Sequence, residues 1–380
     1  MKHLILILCS SLMFLSCEHL LLGPESAPPP PSTLHSSRLA TVLDSLRYAL
    51  DVPALAGAII TDSGVVEARA VGCRRYGGPV NVTDDDQFHL GSCGKSFTAV
   101  MVGLLVDDGL VQWTTTLPTI FPEYANSMRG EYKDVTIRDL LSHAAGFMRD
   151  ANVQLHTSSP REQRKEIVDW ALRQPATQPR GTYLYSNLGF VIAGAVIERV
   201  ADRPYEEIVF ERVIRPLGLT SAGIGQMGSP GLEDQPLQHS ADHSPIIATP
   251  DAHLAYSYDP AGMLHMSVGD WGRYCAWVLA CDAGHGSLLR AETAKTITTM
   301  AVSDGPYGGY ALGWGVIYRT WGGGWVLSHS GSNGYNYAEV VLAPARRFGI
   351  LVMTNQGAGV NATPTDPAVT RLIDFYLNGK

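Results

Sequence analysis

Strand-like and helix-like hydrophobic periods occupy different parts of this chain, and that segregation limits the folds open to it. Leu39, Val42, Leu43, Leu46 and Leu50 recur at helical spacing, which predicts an amphipathic helix over residues 37–51. Ala54–Thr61 and Val65–Val71 read as two strands joined at Asp62-Ser63-Gly64. The C-terminal quarter has the same texture. Ala311–Thr320, Gly324–His329, Tyr337–Leu342 and Phe348–Thr354 are predicted antiparallel strands, and Asp366-Pro367 opens a last helix through Val369, Leu372, Ile373 and Tyr376. Between about Gly109 and Pro260 the periodic segments are helical: Thr136–Ser142, Arg161–Leu172, Asn187–Ala201 and Tyr205–Ile214. Strands outside and helices inside predict an α/β (α+β) fold. Its antiparallel sheet is built from both chain ends and flanked by helices, with an all-helical lobe inserted at about 109–260.

Ahead of this region lies a leader. Lys2 precedes an apolar run from Leu4 to Leu15, too short to span a bilayer and typical of a signal-peptide core. Phe14-Leu15-Ser16-Cys17 reads as a loose lipobox, so residues 1–16 are expected to be removed and Cys17 to carry lipid. Residues 17–36, with Pro28 to Pro31, read as an extended tether. An exported protein of the cell envelope, held at a membrane through Cys17, is the expectation. Cys73, Cys93, Cys275 and Cys281 allow three pairings in an oxidising compartment, but small buried hydrophobes is the default reading. A net charge of −8 without any basic stripe argues against nucleic-acid binding.

One short segment carries chemistry. Phe97, Val100, Met101, Leu104 and Leu105 have helical period, so a buried helix begins close to Ser92 and places Ser92 and Lys95 one turn apart on a common face. A serine hydroxyl needs an adjacent base to attack a carbonyl. A lysine supplies one when burial or a helix N-terminus destabilises its ammonium. The chain has only six lysines, and Ser92–Lys95 is its sole S-x-x-K. Neither G-x-S-x-G nor H-E-x-x-H occurs, and no Cys/His spacing suits a metal, so no metal or cofactor is expected.

With Ser92-Cys93-Gly94-Lys95 in place, the sequence resembles the β-lactamase-related serine hydrolases. The nearest branch holds class C β-lactamases, D-alanyl-D-alanine carboxypeptidases and related esterases. That branch shows S-x-x-K, then Y-x-N, then a K-T-G or H-x-G motif. Of three Y-x-N tripeptides, only Tyr185-Ser186-Asn187 follows the landmark Leu140-Leu141-Ser142-His143-Ala144-Ala145-Gly146 and opens an apolar helix. Tyr124-Ala125-Asn126 precedes the landmark, and Tyr376-Leu377-Asn378 lies in the last helix. The third motif is His329-Ser330-Gly331, followed by Ser332. Pro216-Leu217-Gly218-Leu219 and Ala261-Gly262 with Ser267 are further landmarks, and the likeness runs over about residues 37–378.

The resemblance implies a β-lactamase/transpeptidase-like fold with Ser92, Lys95 and Tyr185 as catalytic residues. It also implies an oxyanion hole from the backbone N–H groups of Ser92 and Ser332, with Asn187, His329, Ser330 and Gly331 binding a small-molecule or peptide substrate. Base duty between Lys95 and Tyr185 stays open, because a phenol serves only if cations lower its pKa. His329 stands where many relatives carry lysine. An imidazole titrating near its ordinary range would meet a substrate carboxylate less well than a fixed cation. A peptidase or esterase is therefore ranked above a class C-like β-lactamase. An inactive penicillin-binding-like envelope protein is the reading from another class.

Overall fold

The computed structural model describes residues 37–247, 256–357 and 365–379; the leader, Cys17 and the 17–36 tether lie outside them. Its frame is an eight-stranded antiparallel sheet. In spatial order the strands are Gly64–Gly72, Ala54–Thr61, Phe348–Thr354, Tyr337–Ala343, Gly324–Ser332, Gly315–Arg319, Gly308–Tyr310 and Val302–Gly305. The first two strands of the chain thus sit beside the last, with Leu55 opposite Thr354 and Thr61 opposite Phe348.

Alternation along these strands feeds two cores. Leu55, Ile59, Ile350 and Val352 face one side, where they pack with Leu39, Leu43 and Leu372 from the helices Arg38–Leu50 and Asp366–Asn378. Ala54, Ala56, Ala58, Leu351 and Met353 face the other, in a larger core with Phe97, Met101, Trp271 and Tyr274. Because helices cover both faces, Phe348–Thr354 is buried at every position and reads as one apolar run. Ser37 fixes the start of the first helix, its Oγ accepting from the Ala40 N–H at 3.0 Å.

No strand of the large sheet comes from the described residues between Gly72 and Val302. Ile137–Leu141 begins at a capping box between Thr136 and Asp139. Pro160–Ala171 opens with its proline, and Asn187–Ala201 begins at Ser186, whose Oγ accepts from the Gly189 N–H. Tyr205–Val209 is α-helical, but the predicted continuation to Ile214 is a π-turn over Phe210–Ile214.

Other differences have local causes. The strand expected from Ala311 begins at Gly315, because the chain turns at Gly313 (φ +77°) against the Lys95 carbonyl; a Cβ there would lie 2.8 Å from that oxygen. The strand from Gly324 runs on to Ser332 and so carries the third motif. Gln87–His89, Leu264–Ser267 and Gly223–Ile224 form an unpredicted three-stranded sheet. Cys73, Cys93, Cys275 and Cys281 are all buried and unpaired.

Candidate active site

Ser92 lies in a one-turn 3₁₀ segment, Gly91–Gly94, that runs directly into the helix Lys95–Asp107. Every residue of that helix from Lys95 to Leu105 is buried, so the Lys95 ammonium has been carried out of water. Its Nζ donates to Ser92 Oγ at 3.0 Å, Asn187 Oδ1 at 2.7 Å and the Ala261 carbonyl at 2.6 Å. All three acceptors are neutral. Desolvation therefore dominates and lowers the lysine to about 7, where a large share of the molecules hold a free amine at neutral pH. Cys93, next in sequence to the serine, is no rival nucleophile: burial drives its thiol far up and its Sγ lies against the His329 and Ala338 carbonyls.

Tyr185 and Asn187 arrive on the N-terminal end of Asn187–Ala201, and His143 fixes that end in place. His143 sits at φ +60° in the turn that closes the Leu140–Gly146 landmark. Its carbonyl accepts from the Leu184 N–H at 2.9 Å, and its Nδ1 accepts from the Ser186 N–H at 3.0 Å. The ring proton is therefore on Nε2. Burial first, then the Lys95 charge, holds this imidazole well below its ordinary range. The ring packs 4.2 Å from Tyr185 and 4.4 Å from Tyr310, centroid to centroid. Asn187 is clamped at both ends, Oδ1 by Lys95 and Nδ2 by Asp150 Oδ1 at 2.8 Å.

Burial acts in opposite directions on the two candidate bases. Burial pushes the Tyr185 phenol far above its ordinary range, and its hydrogen bond with Ser92 and the Arg149 charge offset only part of that. A phenol so placed is a proton donor. Lys95 is the group that can accept.

The third motif closes the opposite wall. Gly331 lies against the Ser92 turn with no room for a side chain: a Cβ there would be 2.0 Å from the Leu90 carbonyl and 2.7 Å from the Ser92 nitrogen. Gly91 is equally confined, its Cβ falling 2.2 Å from the Ser332 nitrogen. Backbone meets backbone here, which brings the Ser92 and Ser332 N–H groups to one place. The Ser332 side chain is spent elsewhere, donating to the Asn336 carbonyl at 2.7 Å. Ser92, Tyr185, His329, Ser330, Gly331 and Ser332 all line one open cleft of about 740 Å³.

His329 departs from its expected behaviour. Its ring is buried, with Nε2 2.7 Å from the Tyr310 hydroxyl and Nδ1 2.7 Å from the Ser330 carbonyl. Burial first, and the Lys95 charge second, lower it to about 3. It is neutral throughout the ordinary range, so it offers a substrate carboxylate no cation. Its partners are 19 residues back and one residue on, a contact pattern that spacing alone does not signal.

Comparison with known proteins places this geometry. The Beta-lactamase family model matches residues 39–374. The chain belongs to that family. Curated relatives include penicillin-binding protein 4 of Amycolatopsis lactamdurans, 24% identical, with 84% of each chain covered. A putative D-alanyl-D-alanine carboxypeptidase of Escherichia coli is 25% identical over 80% of this chain and 79% of its own. An unguisins hydrolase of Aspergillus campestris is 26% identical over 78% of this chain, which spans only 58% of that relative's length. Among solved structures, the octameric penicillin-binding protein homologue from Pyrococcus abyssi superimposes with a TM-score of 0.73 at 22% identity, covering 90% of this chain and 77% of that one. A β-lactamase/D-alanine carboxypeptidase from Pseudomonas syringae does so with a TM-score of 0.73 at 16% identity, covering 90% and 100%.

Within this family member, all eight predicted residues of the described site converge; the ninth, Cys17, lies outside the described residues. Besides Asp150, which holds Asn187, four contributors went unread. The Ala261 carbonyl holds Lys95, His143 holds Ser186, Tyr310 holds His329, and Arg149 lines the cleft. Ala261 and His143 stood in recognised landmarks, which marked their places without their roles. Tyr310 and Arg149 had no local signal.

Proposed function

We propose that the chain is an exported serine hydrolase that cleaves an ester, amide or D-amino-acid peptide bond through an acyl-enzyme on Ser92. One observation carries this reading: Ser92 Oγ is 3.0 Å from the Nζ of a fully buried lysine lowered to about 7. The free amine of Lys95 takes the Ser92 proton as Oγ bonds to the substrate carbonyl carbon. Negative charge on the carbonyl oxygen is met by the backbone N–H groups of Ser92 and Ser332. As the tetrahedral adduct collapses, Tyr185 gives its proton to the leaving group and regains one from the Lys95 ammonium. Water then attacks the acyl carbon, and the same groups return the proton to Ser92. The relatives, variously named for penicillin binding, carboxypeptidase action and hydrolysis, support acyl transfer without choosing the substrate.

A class C-like β-lactamase is the second reading, weakened by the neutral His329 where a cation would meet the β-lactam carboxylate. An inactive envelope-binding protein is opposed by the assembled Ser92–Lys95–Tyr185 set. Labelling with a fluorescent fluorophosphonate separates these readings: wild type should label at Ser92 and Ser92→Ala should not. An unlabelled, folded wild type supports the inactive reading and overturns this proposal. Penicillin turnover would favour the β-lactamase. Export and a lipid at Cys17 rest on the leader's composition; a fatty-acid label lost in Cys17→Ser is the expected result.

A further inference from the structure

The cleft lacks the cation that the third motif would otherwise bring, and another residue stands in a position to supply one. We propose that Arg149 is the specificity-determining residue of this site, and that it binds a carboxylate on the substrate. The inference rests on the Ser92 acyl-enzyme reading.

Four observations support it. Arg149 lines the same cleft as Ser92, and its side chain is 69% exposed there. Its backbone is fixed, because its carbonyl accepts from the Leu188 N–H at 3.0 Å while Ser186 Oγ holds the neighbouring Met148 carbonyl at 2.6 Å. Its guanidinium lies over the face of Tyr185, 5.3 Å from the ring centroid, and Lys95 Nζ is 5.1 Å from that same centroid. The residue is therefore beside the reacting groups rather than at a remote rim.

The guanidinium is also available. Its only ionic partner among the described residues is Asp150, whose Oδ2 is 3.6 Å from Nε, beyond hydrogen-bond length. Asp150 Oδ1 accepts from Asn187, which holds the carboxylate so that its other oxygen, Oδ2, faces Nε and not the terminal nitrogens. Neither terminal nitrogen of Arg149 has a hydrogen-bond partner among the described residues. A planar fork with two free donors on one edge is suited to a carboxylate, which it can take bidentately.

The other basic groups near the serine are unsuited. Lys95 is buried with three acceptors on its ammonium, and both nitrogens of His329 are occupied. Among the described residues Asp304, on the hairpin across the cleft, is the only acidic side chain lining it. Its charge opposes a second anionic group at that side, so the site suits one carboxylate toward Arg149 rather than an anionic substrate in general.

Two matched probe pairs on the full chain test this. In the first, phenylacetylglycyl thioglycolate and its terminal carboxamide differ only by a leaving-group carboxylate. In the second, the thiophenyl esters of adipic and adipamic acid differ only by an acyl-side carboxylate. Thiol release gives kcat/KM, and protection of Ser92 from the fluorophosphonate gives affinity where turnover is slow. Wild type should prefer the carboxylate in one pair, which identifies the side. Arg149→Gln should lower that carboxylate-to-amide ratio about tenfold, mainly through KM, and Arg149→Lys should restore part of it. A labelled enzyme whose ratios do not move in either pair overturns the inference alone. A wild type that does not label overturns both it and the hydrolase reading.

Discussion

Among single residues, Lys95 can be tested most directly, because the proposed role requires the unprotonated amine. With the lysine lowered to about 7, acylation of Ser92 should fall about tenfold per pH unit below that value and level off above it. The rate of fluorophosphonate labelling between pH 5 and 9 measures this directly; a flat profile would remove Lys95 as the base. Lys95→Arg cannot yield a free base and should cost roughly 10³-fold. Tyr185→Phe should also slow turnover severely, and its free-energy loss should not add to that of Lys95→Ala, since the two act on one proton path. Gly331→Ala tests the backbone approach. Its new Cβ would press on Leu90 O and the Ser92 nitrogen, both backbone atoms, so kcat should drop about 10²-fold and the protein should also lose about 1–3 kcal/mol of stability. Much of this site was legible, because S-x-x-K on a helix start is local geometry. The protonation states were not. They follow from burial and from partners such as Tyr310, which only the tertiary fold supplies.

Elements were readable where their environment is one-sided. Arg38–Leu50 has a wet face and a buried stripe, so its period shows in the sequence. Val268–Asp282 gives a weaker signal: Trp271, Tyr274, Cys275 and Val278 keep helical spacing, but Ala276, Trp277 and Leu279 are buried beside them, and a helix enclosed on nearly all sides has little polar face to set its phase. The Val302–Gly305 and Gly308–Tyr310 hairpin is glycine-rich and mostly exposed, so it lacks strand composition altogether. The joint between Pro160–Ala171 and Asn187–Ala201 carries a prediction of its own. Arg164 is fully buried, bonded to Glu198 at 2.6 and 3.1 Å and to Glu206 at 2.7 Å, with the buried Asp259 carboxyl close by. Arg164→Met should cost about 3–5 kcal/mol in urea unfolding, because it strands carboxylates in the interior. Adding Glu198→Gln should recover part of that loss. A single-mutant cost below about 1 kcal/mol would mean that water reaches the cluster, so that the ion pair does not hold the two helices.

For the whole molecule, the decisive fact is that both chain ends meet in one sheet. Phe348–Thr354 lies between Ala54–Thr61 and Tyr337–Ala343, so the last strand made joins the first two to all the others. Segregated periods in the sequence anticipated a sheet drawn from both ends, though not this order, because pairing between residues some 300 positions apart leaves no periodic trace. The site depends on that closure. Gly324–Ser332, which brings Ser332 to Ser92, is held in register by Tyr337–Ala343, and that strand in turn is held by Phe348–Thr354. A chain ending at Arg347 would keep every predicted catalytic residue and lose the strand that joins the two parts of the sheet. It should show no cooperative thermal transition and no labelling of Ser92. A chain beginning at Ser37 loses nothing from the sheet or its covering helices, and it keeps the serine that caps the first helix. It should unfold in a single transition and label at the full-length rate. Calorimetry and fluorophosphonate labelling of the two truncations decide the matter. If the chain ending at Arg347 melts sharply and labels, the catalytic cleft forms without sheet closure, and the long-range pairing serves stability alone.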